Sequence, residues 1–279
     1  MLKIIIIRGG LGNQMFIYAF YLSLKKKYPF SIFFLDMLDS WFAHGGYDIL
    51  KVFQLENRKT YKFYMRIRSI CDKYFTKYLF YRFSESSVHE IVSAQRNKRK
   101  ALLIYDGFWQ SEKYFESVKN IVKQKFQFDL DKLNHESKFL LAEINRNNSV
   151  AIHIRRGDYL NHNEIFGNIC TVDYYLKAIS QLKELEKDLH FYFFSDDKDW
   201  IKSNFNLENS SMVDCNYEED SWQDMCLMSY CKHNIIANST FSWWGAWLNN
   251  NPNKKVIAPQ KWSNTIKDVE VIPDSWIKL

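Results

Sequence analysis

Short apolar runs alternate with helix-length amphipathic stretches along most of this chain. Leu2–Ile7 is typical of a buried strand, a glycine turn follows at Gly9-Gly10, and a helix is predicted from about residue 13 to 27. Further strands are predicted at 31–35, 101–105, 150–154, 191–194, 234–237 and 256–258, with helices between most of them. Strand–helix alternation at this spacing is typical of an α/β protein with mostly parallel sheets.

The alternation restarts near Val150, after the polar stretch 145–149. The length of 279 residues suits two domains of about 130 residues each. We therefore predict an N-terminal α/β domain at 1–148 and a C-terminal one at 149–279.

Charge is unevenly distributed. Residues 59–100 carry eleven basic and three acidic side chains, a local charge of +8, whereas the whole chain is +6. A protein that coats nucleic acid is usually basic over a whole domain face, so we expect no nucleic-acid partner. Aromatic residues interleave with these cations, which predicts peripheral contact with an anionic membrane; the alternative is a solvated helix, predicted over 61–83, with an aromatic core face.

Cysteine usage bears on the compartment. The five cysteines include no CxxC pair, so neither a disulfide framework nor a zinc site is predicted. No signal-peptide pattern and no run of about 18 apolar residues is recognisable. We expect a cytoplasmic protein, peripheral on the inner face of the plasma membrane if the basic segment binds lipid.

Four polar motifs follow predicted strands. They are Arg8–Gln14, His153–Tyr159, 195–197 and Asn238–Trp244. In open α/β sheets, ligands bind outside the carboxyl ends of the strands. Four such motifs in one chain indicate an enzyme.

The first motif, Gly9 to Gln14, reads GGLGNQ. Glycines between a strand and a helix let the backbone approach a ligand and leave helix N–H groups for an anion. A dinucleotide fingerprint is excluded because Met15 stands where a third small residue is needed. The alternative is a tight turn without a ligand.

The second motif reads HIRRGDY from His153 to Tyr159. Alternation along the strand places His153 and Arg155 on one face, and an arginine fork suits phosphate oxygens. Asp158 beside two arginines is expected to stay ionised and either take a proton or orient an arginine. The alternative is a structural Arg–Asp pair.

Each of the remaining motifs also has two possible interpretations. Ser239 or Thr240 either caps the next helix or holds a phosphate, and the tandem tryptophans at 243–244 are either core or a carbohydrate platform. Asp197-x-Asp199 is either a metal–diphosphate clamp or a helix cap, and the cap is favoured.

Together the motifs resemble the bacterial α-1,2-fucosyltransferases of glycosyltransferase family 11. The resemblance is carried by the segments 9–20, 107–115, 153–159, 194–197, 231–248 and 274–277. It implies a GT-B-like fold of two Rossmann-like domains facing a cleft, with 1–148 as the acceptor-side domain and 149–279 as the GDP-fucose-binding domain. It also implies GDP-β-L-fucose as donor, inversion at the anomeric carbon, and no cofactor or metal.

The resemblance also implies roles for residues. Arg155 matches the arginine on the donor β-phosphate, and Asn13 matches an asparagine at the reacting sugar in some peptide fucosyltransferases. We predict Asp158, Arg155 and Asn13 as catalytic residues. The predicted substrate-binding residues are Gly10, Gly12, Gln14, His153, Arg156, Asp196, Asn238, Ser239, Thr240, Phe241 and Ser242.

The predicted reaction is transfer of L-fucose to the 2-hydroxyl of a β-galactoside in a cell-surface glycan. The expected acceptor is a galactose-terminated oligosaccharide, presented on a lipid if the segment 59–100 contacts the membrane. Two alternatives stay open: a metal-dependent GT-A-type transferase that uses Asp197 and Asp199, and a non-catalytic carbohydrate- or nucleotide-binding module.

Overall fold

The computed structural model describes residues 2–35, 48–55, 80–84, 102–265 and 270–279. The chain forms two compact units, Met1–Gln127 and Phe128–Leu279. This division lies about 20 residues before the predicted boundary at 148/149. The helix His135–Arg146 belongs to the second unit because it packs against the helix Trp222–Tyr230 and the strand Asn148–Ile154.

The first unit has a four-stranded parallel sheet in the order β2-β1-β4-β3. Its elements are β1 Leu2–Ile7, α1 Leu11–Lys27, β2 Ser31–Leu35, α2 Asp48–Phe53, β3 Phe80–Ser84, β4 Leu102–Asp106 and α3 Lys119–Lys125. Ile4 to Ile7 of β1 are at most 5% exposed. A strand buried on both faces reads as a continuous apolar run, which is why β1 was recognisable from sequence.

The helix predicted over 61–83 is wrong at its C-terminal end, where β3 pairs in parallel with β4. The aromatic-rich sequence of β3 favours a strand. The rest of that predicted helix, and the basic segment 59–100 apart from β3, lie outside the described residues.

The second unit has a six-stranded parallel sheet in the order β10-β9-β8-β5-β6-β7. Its elements are α4 His135–Arg146, β5 Asn148–Ile154, α5 Asn163–Phe166, α6 Val172–Leu185, β6 Leu189–Ser195, α7 Lys198–Asn204, β7 Ser210–Val213, α8 Trp222–Tyr230, β8 His233–Ile235, α9 Thr240–Leu248, β9 Val256–Ala258 and β10 Ile277–Lys278. The two edge strands, β7 and β10, are short and were not predicted.

Helix α9 is apolar on all sides and lies in the core. Trp243 and Trp244 are fully buried, and the indole Nε1 of Trp243 donates to the Val271 carbonyl at 2.8 Å. A Cβ on Gly245 would lie 2.9 Å from Met228 Cβ, so glycine permits the close approach of α8 and α9. The tandem tryptophans are therefore core residues and cannot serve as a carbohydrate platform. Among the described residues, no helix is long and apolar enough to cross a membrane.

Candidate active site

The guanidinium of Arg155 lies between two carboxylates at the carboxyl end of β5, one of the two central strands of the second sheet. Its Nε bonds Asp158 Oδ1 at 2.9 Å, and its Nη1 bonds Asp196 Oδ2 at 3.1 Å. The Arg155 side chain is still 37% exposed. Burial opposes its positive charge, but Asp196 and Asp158 outweigh this effect and raise the pKa of Arg155 above its usual value.

Asp196 organises the turn that follows β5. Ile154 of β5 pairs with Ser195 of β6, so Arg155 and Asp196 are the first residues beyond this pair. Asp196 Oδ2 holds Arg155, and Oδ1 accepts the backbone N–H of Arg156 at 2.9 Å. A Cβ on Gly157 would lie 2.8 Å from Asp196 Oδ2, so glycine is needed for this close approach. Asp196 thus bonds both arginines, and its substrate-binding role stays a prediction.

Asp197 is a helix cap and the ion-pair partner of the second arginine. Its Oδ1 accepts the backbone N–H of Trp200 at 3.1 Å, and its Oδ2 bonds Arg156 Nε at 2.9 Å. The Arg156 hydrogen bond, joined by the bond from Trp200, lowers the pKa of Asp197. The guanidinium of Arg156 also lies 4.4 Å from the centre of the Trp200 ring. The prediction that Asp197 caps the helix is confirmed. In the alternative interpretation Asp197 is one of two metal-binding carboxylates, but here it is paired with Arg156.

His153 is a neutral, buried side chain. Burial, with a smaller contribution from the positive charge of Arg155, lowers the pKa of His153 to about 3. Its ring packs 5.8 Å from that of Phe241, and Nδ1 is buried without a hydrogen bond to any described residue. At neutral pH His153 therefore offers an uncharged imidazole to this site.

Most polar side chains in and next to the loop before α9 form hydrogen bonds that hold this loop in place. Ser239 Oγ caps α9 by accepting the Phe241 N–H at 3.4 Å, and Thr240 is half-buried at the first helical position. Ser242 is fully buried and donates to the Ser239 carbonyl at 3.3 Å. Asn238 is 2% exposed; its amide donates to the Trp262 carbonyl and its Oδ1 accepts from the Cys170 thiol. Ser242 and Asn238 therefore support the loop, and the binding roles of their side chains stay predictions.

Three tyrosine hydroxyls brace these strand ends. Tyr175 donates to the His153 carbonyl at 3.0 Å and Tyr174 to the Ile236 carbonyl at 2.7 Å, both from the buried face of α6. Tyr159 donates to the Asn238 carbonyl at 2.9 Å and so joins the loop after β5 to the loop before α9. None of these roles is predicted from the sequence, because each hydroxyl bonds a carbonyl that lies 22 to 79 residues away along the chain.

In the first unit, the glycine motif forms the turn between β1 and α1. Gly9 has a φ of +77°, a left-handed conformation that favours glycine. Gln14 is fully buried; its amide donates to the Gly9 carbonyl at 2.7 Å and its Oε1 accepts the Ile49 N–H at 3.2 Å. Gly12 is buried within α1, whereas Gly10 is half-buried at its N-cap. Gln14 thus joins the turn to α2, and its role in substrate binding stays a prediction.

Asn13 belongs to a second polar cluster, at the carboxyl ends of β1 and β4. Its Oδ1 accepts from Gln110 Nε2 at 2.8 Å, and both residues are half-buried. Nearby in this unit, Arg8 Nη2 pairs with Asp106 Oδ1 at 2.9 Å. Sequence reasoning singled out Asn13 but gave no role to Gln110, Arg8 or Asp106, since their meeting depends on strand pairing across about 100 residues.

The predicted residues therefore separate into two clusters, each within one unit. The second unit brings together Arg155, Asp158, Asp196, His153 and Phe241, and the first unit presents Asn13 and Gly10. Among the described residues, no group of three His, Cys, Asp or Glu side chains is arranged to hold a metal ion.

Comparison with known proteins gives the family. The family model described as glycosyl transferase family 11 matches residues 58–278. The chain is 34% identical to an alpha-1,2-colitosyltransferase of Escherichia coli, over 97% of this chain and 96% of that protein. It is 33% identical to the O-antigen biosynthesis glycosyltransferase WbnK of Escherichia coli, over 97% of this chain and 98% of that protein.

Solved structures bear on the fold. Fucosyltransferase NodZ from Bradyrhizobium has a TM-score of 0.52 at 12% identity, covering 88% of this chain and 92% of NodZ. At this identity the likeness concerns the fold alone, and it agrees with the predicted GT-B architecture of two α/β units with parallel sheets. The family match and the two full-length relatives show that the chain belongs to glycosyltransferase family 11 and is a glycosyltransferase.

Proposed function

We propose that this protein transfers a 6-deoxy-L-hexose, L-fucose, from GDP-β-L-fucose to the 2-hydroxyl of a β-galactoside in a surface glycan. The observation that carries the proposal is Arg155, whose guanidinium lies at the carboxyl end of a central strand of the second sheet and stays 37% exposed beside Asp158 and Asp196. The relative named for O-antigen biosynthesis supports a glycan of the cell surface as the acceptor.

The donors of Arg155 are sufficient for a phosphate. A guanidinium has five N–H donors, and the ion pairs with Asp158 and Asp196 use one each. The remaining donors are available to the β-phosphate. The Ser239–Thr240 start of α9 adds backbone N–H groups and the positive end of the helix dipole.

The local charge balance adds a condition. Two arginines, 155 and 156, face three carboxylates, Asp158, Asp196 and Asp197, so this cluster is formally negative before a donor binds. A diphosphate is repelled unless one carboxylate moves away. Asp158 is the most exposed of the three, at 50% of its side chain, and holds Arg155 through one bond. We expect the donor phosphate to replace Asp158 on Arg155.

The proposed reaction is a single displacement with inversion. The acceptor oxygen bonds to the anomeric carbon of the sugar while the bond from that carbon to the β-phosphate oxygen breaks, and GDP leaves with the electron pair. Negative charge grows on the β-phosphate, where preorganised donors stabilise it most effectively. Arg155 and the start of α9 supply that stabilisation in the proposal.

The proton of the acceptor hydroxyl is assigned to Asp158. Once displaced from Arg155, this carboxylate is a free acceptor next to the donor phosphate. His153 is a poor candidate, because burial lowers its pKa to about 3 and its ring is packed under Phe241. Its role in the proposal is to shape the site as a neutral wall.

Colitose is a second candidate for the transferred sugar. The relative that is 34% identical over nearly the whole length is named as an alpha-1,2-colitosyltransferase. Colitose is 3-deoxy-L-fucose, so the two sugars differ by one hydroxyl. Side-by-side transfer from the two GDP-sugars decides between them, because a site that bonds the 3-hydroxyl rejects the sugar that lacks it.

The first experiment measures thermal shifts with GDP, UDP, CMP and GDP-fucose, followed by GDP release in the presence of β-galactosides. We expect GDP and GDP-fucose to stabilise the protein and transfer to survive EDTA, as a metal-independent mechanism requires. Arg155→Ala is expected to reduce transfer by about 10²–10³ while the protein still folds. Selective binding of UDP, loss of transfer with EDTA, or near-normal turnover of Arg155→Ala contradicts the proposal.

A further inference from the structure

Asp158, the proposed proton acceptor, lies in an exposed segment of the loop after β5. Between residues 157 and 164 every residue except Tyr159 is exposed, and 57% of Leu160 is accessible to solvent. A segment with so few buried contacts is weakly fixed by its own packing. The position of Asp158 therefore depends on its bond to Arg155 and on the contacts of its neighbour, Tyr159.

Tyr159 anchors this segment at two points. Its hydroxyl donates to the Asn238 carbonyl at 2.9 Å, and its ring stacks on that of Phe166 with centroids 4.2 Å apart and planes inclined by 15°. Burial raises the pKa of Tyr159 above its usual value, so the hydroxyl stays protonated and remains a donor at neutral pH. The anchor thus combines one directional hydrogen bond with one apolar contact.

The carbonyl that accepts this hydrogen bond belongs to a well-fixed part of the second unit. Asn238 is 2% exposed, its amide donates to the Trp262 carbonyl at 3.1 Å, and its Oδ1 accepts from the Cys170 thiol at 3.4 Å. It follows β8, which pairs with β5 in the sheet. Buried and bonded groups of this kind are the last to move in a folded domain, so Tyr159 ties the backbone next to Asp158 to the sheet.

Binding of a donor changes the contacts of Asp158. In the free protein its carboxylate bonds Arg155 at 2.9 Å, and the adjacent residue, Tyr159, is bonded to Asn238. In the proposed function the donor phosphate replaces the carboxylate on Arg155, which removes the first of these contacts. The Tyr159 anchor lies outside that exchange and is retained.

We infer that Tyr159 is a positioning residue for the reaction: its anchor keeps Asp158 within reach of the acceptor hydroxyl after the carboxylate has left Arg155. Misplacement of a reacting group by about 1 Å can cost about a hundredfold in rate. Binding of the donor phosphate to Arg155, in contrast, does not need the carboxylate. Loss of the anchor is therefore expected to lower kcat more than donor affinity. The inference rests on the proposed function, which supplies both the displacement of Asp158 and its role as base.

The test uses the full chain with GDP-fucose and lactose, a simple β-galactoside. Tyr159→Phe removes the hydroxyl and keeps the ring stack, and it is made both alone and together with Asp158→Asn. The matched control is Tyr192→Phe, which loses one hydrogen bond from Asn147, the residue before β5, in the same sheet. Steady-state kcat from GDP release, GDP affinity by calorimetry and the melting temperature are measured for every variant.

Tyr159→Phe is expected to lower kcat by about tenfold to thirtyfold, while GDP affinity stays within about twofold. Tyr192→Phe is expected to lower the melting temperature by a similar amount and to leave kcat within about twofold, because each variant loses one hydrogen bond. In the Asp158→Asn background, Tyr159→Phe is expected to change kcat by less than about twofold, because the carboxylate that it positions is already absent. A merely structural role lowers kcat by the same factor in both backgrounds.

If Tyr159→Phe does not fold, the same comparison is made with Phe166→Leu, which weakens the ring stack and keeps the hydroxyl. In a folded anchor variant of an active enzyme, three results overturn the inference and leave the proposed function standing. They are a kcat within about twofold of wild type, equal losses of kcat in both backgrounds, and equal losses of kcat and GDP affinity. Failure of the wild type to bind GDP or to transfer fucose overturns the proposed function instead.

Discussion

Replacing Asp196 by asparagine tests whether this carboxylate holds Arg155 in place for catalysis. The variant is nearly isosteric, and an asparagine oxygen can still accept the Arg156 N–H. Its amide nitrogen, however, faces Arg155 Nη1, which now lies 3.1 Å from a carboxylate oxygen. The substitution therefore exchanges one attraction for a contact between two donors and leaves the rest of the turn intact.

The magnitude follows from distance and exposure. Two unit charges 3.1 Å apart attract each other by about 5 kcal/mol at an effective dielectric constant of 20. The two side chains are 37% and 26% exposed, so solvent screening reduces the net stabilisation to about 1–2 kcal/mol. We expect the melting temperature to fall by no more than about 6 °C. Misplacement of Arg155 by about 1 Å is expected to reduce kcat by roughly tenfold to a hundredfold.

The neighbouring residue provides a matched control. Asp197 pairs with Arg156 at 2.9 Å and is similarly exposed, but it does not contact Arg155. Asparagine also serves as an N-cap, so Asp197→Asn retains the cap of α7. We expect Asp197→Asn to change kcat by no more than about threefold. Its melting temperature is expected to fall by about as much as that of Asp196→Asn. Steady-state GDP release and thermal unfolding of both variants are sufficient; a kcat for Asp196→Asn within twofold of wild type, or an equal loss in Asp197→Asn, refutes the argument.

Three further predictions follow from the same geometry. Asp158→Asn is expected to lower kcat by about 10²-fold or more, as for loss of a general base, while GDP binds at least as tightly because a repelling charge is removed; a kcat within twofold of wild type in GDP-release kinetics excludes the base role. The lowered pKa of His153 means that its contribution to stability is complete above about pH 6.5 and is lost as the pH falls toward 3. When the pH is lowered from 7.5 to 5.0, the free energy of unfolding measured in urea should therefore fall by about 2 kcal/mol more in the wild type than in His153→Asn. Equal decreases contradict a buried neutral histidine. Gly9→Ala is expected to lower the free energy of unfolding by about 1–2 kcal/mol, because its φ is +77° and Asn13 Nδ2 lies 3.0 Å from the new Cβ, whereas Gly10→Ala, at φ −70°, is expected to cost less than half of that in the same assay.

The two clusters differ in charge. Within the described part of the chain, the cluster after β5 holds two arginines and three carboxylates. The cluster after β1 holds the Arg8–Asp106 ion pair and the amides of Asn13 and Gln110.

The order of strands and helices, and the positions of most motifs relative to them, were readable from the sequence. A parallel strand such as β1 is buried on both faces and is therefore continuously apolar, and a polar motif directly after it must lie at an edge of the sheet. The same reasoning placed Arg155 and Ser239 at strand ends, and it favoured the helix cap at Asp197, because these features depend only on neighbours in the sequence.

The tertiary structure determined which polar side chains stabilise the fold and which residues contact each other. Gln14, Asn238 and Ser242 lie within binding-type motifs, but each is buried and bonded to the backbone, and burial depends on elements distant in sequence. Arg155 meets Asp196 because β5 and β6 are adjacent in the sheet, and Asn13 meets Gln110 because β1 and β4 are. Local periodicity thus determined the elements of this protein, whereas strand order, which is set by long-range packing, determined the geometry of its two clusters.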